Sequence, residues 1–364
     1  MSKHNPENER IKRKYFIFLK EAKRQDESSI DGVAKAISRF EEYTKYRDFK
    51  AFHHNQAVGF KTHLSKQVNQ KTGKPLSKAT MNSTVRYLKT FIQWLAMQSG
   101  YKSRINYSDT EYFNLSEKDV RIATAKREKP VPTIEQIKRV ISEMPYGSDI
   151  EKRDRALIAF TLLTGARDSA IASMKVKHLD LTEDSIFQDA RDVKTKFSKT
   201  FKSYFFPVGD DIRQIVEDWV IHLKDKLLWG NDDPLFPQTQ VTQGKNRTFE
   251  ASGLKREHWS TASPIRDIFK KAFEAAGLPY FNPHSFRNTL VVFSQTICQS
   301  PEEVKAWSQN LGHEGVMTTF YSYGEVQESR QGEIILQLNQ PRSVVNQDVS
   351  ELAKALAFEM ANQG

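Results

Sequence analysis

Residues 153–165 read RDRALIAFTLLTG, the most apolar stretch of the chain. From Ala156 onward it carries no charge, and a helix that is apolar all round has to be covered on every side. Such a helix needs a domain with a sizeable core packed about it. Gly165 is placed to end it, and a second short helix is expected near Asp168. Residues 184–209 (DSIFQDARDVKTKFSKTFKSYFFPVG) are rich in Phe and Lys and read as two antiparallel strands with a lysine-bearing turn. Helical patterning resumes from Ile265.

A chain of 364 residues suits two domains and a tail. Residues 116–131 are charged, poor in apolar side chains and run into prolines, which predicts a linker. Before it, residues 1–115 read as helices. Ile30, Val33, Ile37 and Phe40 follow helical spacing after Ser29 as N-cap. Met81, Val85, Leu88, Ile92 and Leu95 form a second stripe, with Gly100 as its C′ residue. Beyond the linker, a helix opens at Thr133, and a second domain is expected over 132–340. A tail over 341–364 holds a helix whose Val349, Leu352, Leu356 and Met360 share one narrow face. The fold class expected is mainly α with a small antiparallel sheet.

The net charge of +10 is unevenly placed. Between Asp48 and Asp109 there is no acidic residue, while ten lysines and arginines occur there; the other Lys and Arg equal the 45 acidic residues. Clustering of this kind predicts a polyanion partner, since neutralising phosphates releases condensed counterions. The plainer alternative is a solvated surface that aids solubility. Lys78, Arg86 and Lys89 in this stretch, and Lys196 in the lysine-bearing turn, are the candidate DNA-backbone contacts. Cys298 is the only cysteine, so neither an internal disulfide nor a cysteine-built zinc site is expected. The N-terminus is too polar for a secretory signal, and no apolar run is long enough to cross a bilayer. A cytoplasmic setting, without metal or cofactor, is the expectation.

Three patches place basic and hydroxyl groups in apolar surroundings. LLTGARDSA presents Arg167 just past the buried helix, where an isolated arginine would ordinarily pair with its neighbour Asp168. NPHSFRNTL sets His284 and Arg287 three apart, on one helix face. NLGHEGVMTTFYSYGEV carries His313, then Tyr321 and Tyr323. Each alone has a bland structural explanation.

In this order they closely resemble the tyrosine recombinase (phage integrase) family, whose members carry an Arg in a TGxR turn, a hairpin Lys, HxxR, LGH and a nucleophilic Tyr. The resemblance covers residues 130 to 330 and implies a two-domain architecture, a helical core-binding domain and an α+β catalytic domain embracing a duplex. It implies Arg167, Arg287 and His313 on the scissile phosphate, His284 as proton acceptor, a lysine as acid and a tyrosine as nucleophile. Lys199, eight residues before Pro207, fits the family's lysine best, with Lys194, Lys196 and Lys202 as alternatives. The usual tyrosine spacing lands on Ser322. Tyr323 is preferred over Tyr321 because Tyr-Gly-Glu-Val matches the family's ending. Ala170 stands where relatives place an acid, and Asp168 is the candidate substitute for orienting Arg167.

These residue types suit phosphodiester chemistry, which is mostly positioning and charge stabilisation. Two guanidiniums clamp non-bridging oxygens, and their bonds strengthen as charge develops. A phenol needs an acceptor for its proton, and the leaving 5′-oxygen needs a donor. The expected function is site-specific recombination through a 3′-phosphotyrosine, integrating or excising a mobile element. The expected partners are double-stranded attachment-site DNA and further copies of the chain, a tetramer in the synapse, with nucleoid association through DNA. The rivals are a non-catalytic DNA-binding regulator and a relaxing enzyme of the type IB topoisomerase kind.

Overall fold

The computed structural model describes residues 4–69, 73–125, 130–243 and 248–313. Its contacts divide the chain into two compact units, Met1–Lys126 and Arg127–Gly364. Among the described residues no helix is long and apolar enough to cross a membrane.

The first unit is helical: α1 (Pro6–Ile17), α2 (Glu27–Tyr43), α3 (His54–Lys66), α4 (Lys78–Leu95) and α5 (Glu117–Thr124). The apolar stripes explain its core. Val33, Ile37 and Phe40 of α2 are buried, as are Met81, Val85, Leu88, Ile92 and Leu95 of α4. Aromatic rings fill the space between helices: Phe40 meets Phe60 edge-on at 5.2 Å, and Phe52 stacks on Phe113 at 5.6 Å. Three boundaries differ from expectation. Asp26, not Ser29, caps α2, its Oδ1 accepting the Ser29 N–H at 2.7 Å. Helix α4 stops at Leu95, and Gly100 takes its positive φ of 82° in the turn beyond. The segment read as a linker contains α5, whose N-cap Ser116 accepts the Asp119 N–H. Its charge conceals a helix tied to α4 by the ion pair Lys78–Asp119 at 2.8 Å.

The second unit holds α6 (Ile134–Glu143), α7 (Asp149–Thr164), α8 (Asp168–Ile171), α9 (Asp210–Ile221), α10 (Ser263–Ala275), α11 (Pro283–Ile297) and α12 (Pro301–Asn310). Thr133 opens α6 with a capping box, as its sequence predicts. Helix α7 is the buried helix expected, with Ala156 to Leu163 all sealed from water and α9 and α11 packed against it. Strands β1 (Leu179–Asp180), β2 (Ser185–Gln188) and β3 (Phe201–Tyr204) form an antiparallel sheet in that order. The pairing Gln188↔Phe201 leaves Lys194, Lys196 and Lys199 in the long connection between β2 and β3. A second hairpin, β4 (Gln238–Gln243) and β5 (Phe249–Lys255), was not foreseen. Its strands are mostly exposed, so QTQVTQ and FEASGLK lack the apolar alternation that marks a half-buried strand. The buried Arg153 secures its base, donating to Pro237 O at 2.8 Å and Thr239 Oγ1 at 3.0 Å.

Candidate active site

Three chain segments of the second unit converge on one guanidinium. The first is the turn after α7, where Gly165 has φ 61° and a Cβ would lie 2.9 Å from Leu311 Cδ2 and 3.1 Å from Leu290 Cδ1. The second is the first turn of α11, opened by Asn282, whose side chain accepts the Ser285 N–H at 3.1 Å. The third follows α12, where Gly312 has φ 68° and a Cβ would lie 2.6 Å from the Phe201 ring. Glycine is required at both places for conformation and for close approach. Arg287, 4% exposed, donates to Gly165 O, to Leu311 O at 2.5 Å and to His313 Nε2 at 3.3 Å. A guanidinium only donates, so His313 Nε2 accepts and the neutral ring carries its proton on Nδ1.

The lysine hairpin is fastened to this assembly. Asn310, directly before the LGH segment, accepts the Tyr204 N–H at 2.6 Å and donates to Tyr204 O at 2.8 Å. Ser203 Oγ donates to Asn310 O at 2.8 Å. Sequence reasoning missed Asn310; its place beside Leu311, Gly312 and His313 was the only signal.

Arg167 is half-buried at the start of α8. Its neighbour Asp168 does not orient it: that carboxylate pairs with Arg266 at 2.7 Å. Among the described residues neither Arg167 nor Arg287 has a carboxylate at ion-pair distance. The electrostatics follow. Burial, then Arg167, lowers the Arg287 pKa to about 9. Burial also lowers that of Arg167. The protein packed around His284, then Arg287 and Arg167, lowers its pKa. His313 falls to about 4, through burial first, then Arg287 and Arg167. Both imidazoles are therefore neutral near pH 7, and Arg287 lies in the field of Arg167.

The lysines separate by their neighbours. Lys202 pairs with Glu183. Lys194 contributes to the field at His258. The charge of Lys199 is felt at His313 and that of Lys196 at His284. Tyr321, Tyr323 and the tail helix lie outside the described residues.

Two of the first unit's three candidates are already engaged. Lys89 Nζ reaches Glu111 at 2.7 Å and Asn114 Oδ1 at 3.0 Å, and Lys78 pairs with Asp119. Arg86 is exposed, with its guanidinium 5.9 Å from the Tyr87 ring centre. Lys78 and Lys89 thus find their counter-ions just past the end of the acid-free stretch.

Residues 132–330 match the model of the phage integrase family. The tyrosine recombinase XerC of Lactobacillus delbrueckii subsp. bulgaricus is 22% identical over 251 residues, 68% of this chain and 72% of the relative. The tyrosine recombinase XerD of Oceanobacillus iheyensis is 21% identical over 314 residues, 84% and 90% of the two chains. Among solved structures, the XerH site-specific recombinase in a post-cleavage complex with palindromic difH substrate aligns with TM-score 0.58 and 17% identity. That alignment covers 88% of this chain and 83% of the other. A lambda integrase (75–356) dimer bound to a COC′ core site aligns with TM-score 0.58 and 11% identity, over 92% and 97%. At these identities the solved structures speak to the fold.

Proposed function

This chain belongs to the phage integrase family, and on that premise we propose that it recombines DNA at specific sites through a 3′-phosphotyrosine intermediate. Its relatives are tyrosine recombinases, enzymes that cut and rejoin DNA strands, and so is this chain. The observation that carries the proposal is the buried Arg287, held where three segments meet and against His313, with no carboxylate at ion-pair distance from it or from Arg167 among the described residues. Such a pair is unfavourable until a dianionic transition state occupies it.

In this reading the phosphate sits between the two arginines, with a hydrogen bond from His313 Nδ1. The phenol oxygen of Tyr323 attacks phosphorus while neutral His284 takes its proton. The bond from phosphorus to the 5′-oxygen breaks, and Lys199 protonates that oxygen as it leaves. The phosphotyrosine conserves the bond energy, so attack by a new 5′-hydroxyl rejoins strands without a nucleotide cofactor. The substrates would be paired attachment sites of a mobile element, held by a tetramer of this chain. The tail helix, through Val349, Leu352, Leu356 and Met360, would bridge neighbouring subunits. The two units would bind the duplex, the first over residues 1–115 and the second over 132–340.

The test is incubation with nicked duplexes from which the cleaved end diffuses away, followed by mapping of the DNA-linked peptide. Tyr323→Phe is expected to bind DNA and form no adduct, with Tyr321→Phe still reactive. The opposite pair of results would move the nucleophile to Tyr321. Binding with no adduct from the unaltered chain would favour a DNA-binding regulator instead. Adducts without sequence preference or paired sites would favour a relaxing enzyme.

A further inference from the structure

The connection between β2 and β3 exposes an aromatic ring in an unusual way. Phe197 is 77% exposed and shares exposure with Phe249 and Phe187, whereas Phe160, Phe236, Phe269, Phe273 and Phe286 of the same unit are fully buried. Its backbone is left-handed, φ 60° and ψ 25°, and Ser198 follows at φ 51°. Side chains with a Cβ rarely adopt this conformation, least of all twice in succession. The turn is closed by Thr195 N–H to Val193 O at 2.8 Å and Ser198 N–H to Thr195 O at 3.3 Å. Folding therefore holds the ring outward at a cost in both backbone strain and exposed apolar surface. Lys196 Nζ lies over its face, 4.7 Å from the ring centre.

Position gives this feature its meaning. Lys194, Lys196 and Lys199 surround Phe197 in sequence, a charge pattern that fits nucleic acid and repels a basic protein surface. The hairpin that carries Phe197 is anchored next to His313, with Asn310 bonded to both backbone groups of Tyr204 and the Phe201 ring against Gly312. A duplex whose phosphate occupies the arginine pair thus presents its neighbouring bases to this loop. Apolar side chains inserted between base steps unstack them and kink the duplex.

We propose that Phe197 is a positioning residue that wedges into the base step beside the scissile phosphate. The geometry behind it is a ring held outward on a strained, lysine-flanked turn at the rim of the arginine site. Unstacking that step frees the phosphate to rotate into line with the attacking phenol and the leaving 5′-oxygen. The inference rests on the strand-cleavage reading above.

The experiment first exposes the unaltered chain to nicked 40-bp-scale duplexes of random sequence and sequences those captured covalently. Captured duplexes define the cleaved step. The same sequence is then made with 2-aminopurine beside the cleaved phosphate and bound by the full chain carrying Tyr321→Phe and Tyr323→Phe. The expected result is a rise in 2-aminopurine fluorescence on binding. Phe197→Asn, which tolerates the left-handed backbone but has no ring, is expected to abolish that rise. In the chain with both tyrosines it is expected to slow adduct formation about tenfold, the scale of one lost base–aromatic contact. Phe197→Leu, still an apolar wedge, is expected to keep most of both. No rise with Phe197 present, or an equal rise and rate in Phe197→Asn, overturns the wedge alone. Failure to capture any duplex overturns the cleavage reading, and the wedge with it.

Discussion

The two units handle positive charge in opposite ways. In the first, lysines crowd a stretch without acids, yet Lys78 and Lys89 are paired with Asp119 and Glu111 on segments that return from beyond it. In the second, overall charge is unremarkable, but Arg287 lies in the field of Arg167 and, among the described residues, neither has a carboxylate at ion-pair distance. A count along the sequence measures how many charges there are; only the fold says which still lack a partner. Exposed ion pairs contribute little to stability, whereas desolvated like charges form a site that favours an anion strongly.

The sharpest contrast comes from Arg287→Ala. It removes donors from Gly165 O and Leu311 O and half of the proposed anion clamp together. Strand cleavage is expected to fall by at least about a hundredfold, as for one lost oxyanion donor. Urea unfolding is expected to show a loss of about 2–4 kcal/mol from the two stranded carbonyls. Unchanged stability would mean that the guanidinium does not hold the three segments together.

Next in size, Lys199→Ala should stall cleavage of an ordinary phosphodiester and recover on a substrate with a 5′-bridging sulfur, whose departure needs no proton. Rescue seen for Lys196→Ala and not for Lys199→Ala would move the acid to Lys196. In the first unit, Arg86→Gln is expected to shallow the dependence of log K on log salt by about one. Lys78→Gln and Lys89→Gln are expected to leave the slope nearly unchanged, each costing at most about 1 kcal/mol of stability. A slope change from the paired lysines equal to that from Arg86 would erase the distinction between the units.

The smallest effect is on pH dependence. His313 has its folded pKa lowered to about 4. As pH falls below about 6.5, the unfolded chain takes up a proton that the native ring refuses. Stability associated with this group is thus present above about 6.5 and lost progressively toward 4. His313→Gln is expected to flatten that part of the profile, read by urea unfolding at pH 7 and pH 5. An unaltered profile would place the ring in contact with water and not beside Arg287.

Much of this was legible before any coordinates. The stripe from Met81 to Leu95 and the apolar run from Ala156 to Leu163 announce helices because burial dictates their composition. The order of Arg167, His284, Arg287 and His313 announced a shared site, and the fold brings Arg287 onto His313 and both beside Arg167 and His284. What escaped depends on contacts distant in sequence. Hairpin β4–β5 is held by Arg153 far upstream, and α5 is disguised by its charge. Asp168 was expected to orient Arg167 because it is adjacent, but Arg266, 98 residues on, reaches it instead. Adjacency is a weak guide where a turn points neighbouring side chains apart.

The central claim is that chemistry depends on the uncompensated arginines and not on the number of basic residues. Arg167 separates the two most cleanly, since among the described residues its side chain makes no hydrogen bond or ion pair, and charge from the protein is expected to make EDTA harmless. The measurement is single-turnover adduct formation on a nicked duplex in EDTA, with thermal unfolding recorded alongside. For Arg167→Ala the account predicts a rate lower by at least about a hundredfold with an unchanged melting temperature. For the double change Lys78→Gln with Lys89→Gln it predicts a rate within about threefold of the unaltered chain. A near-normal rate for Arg167→Ala, or a larger loss in the double change, would contradict it.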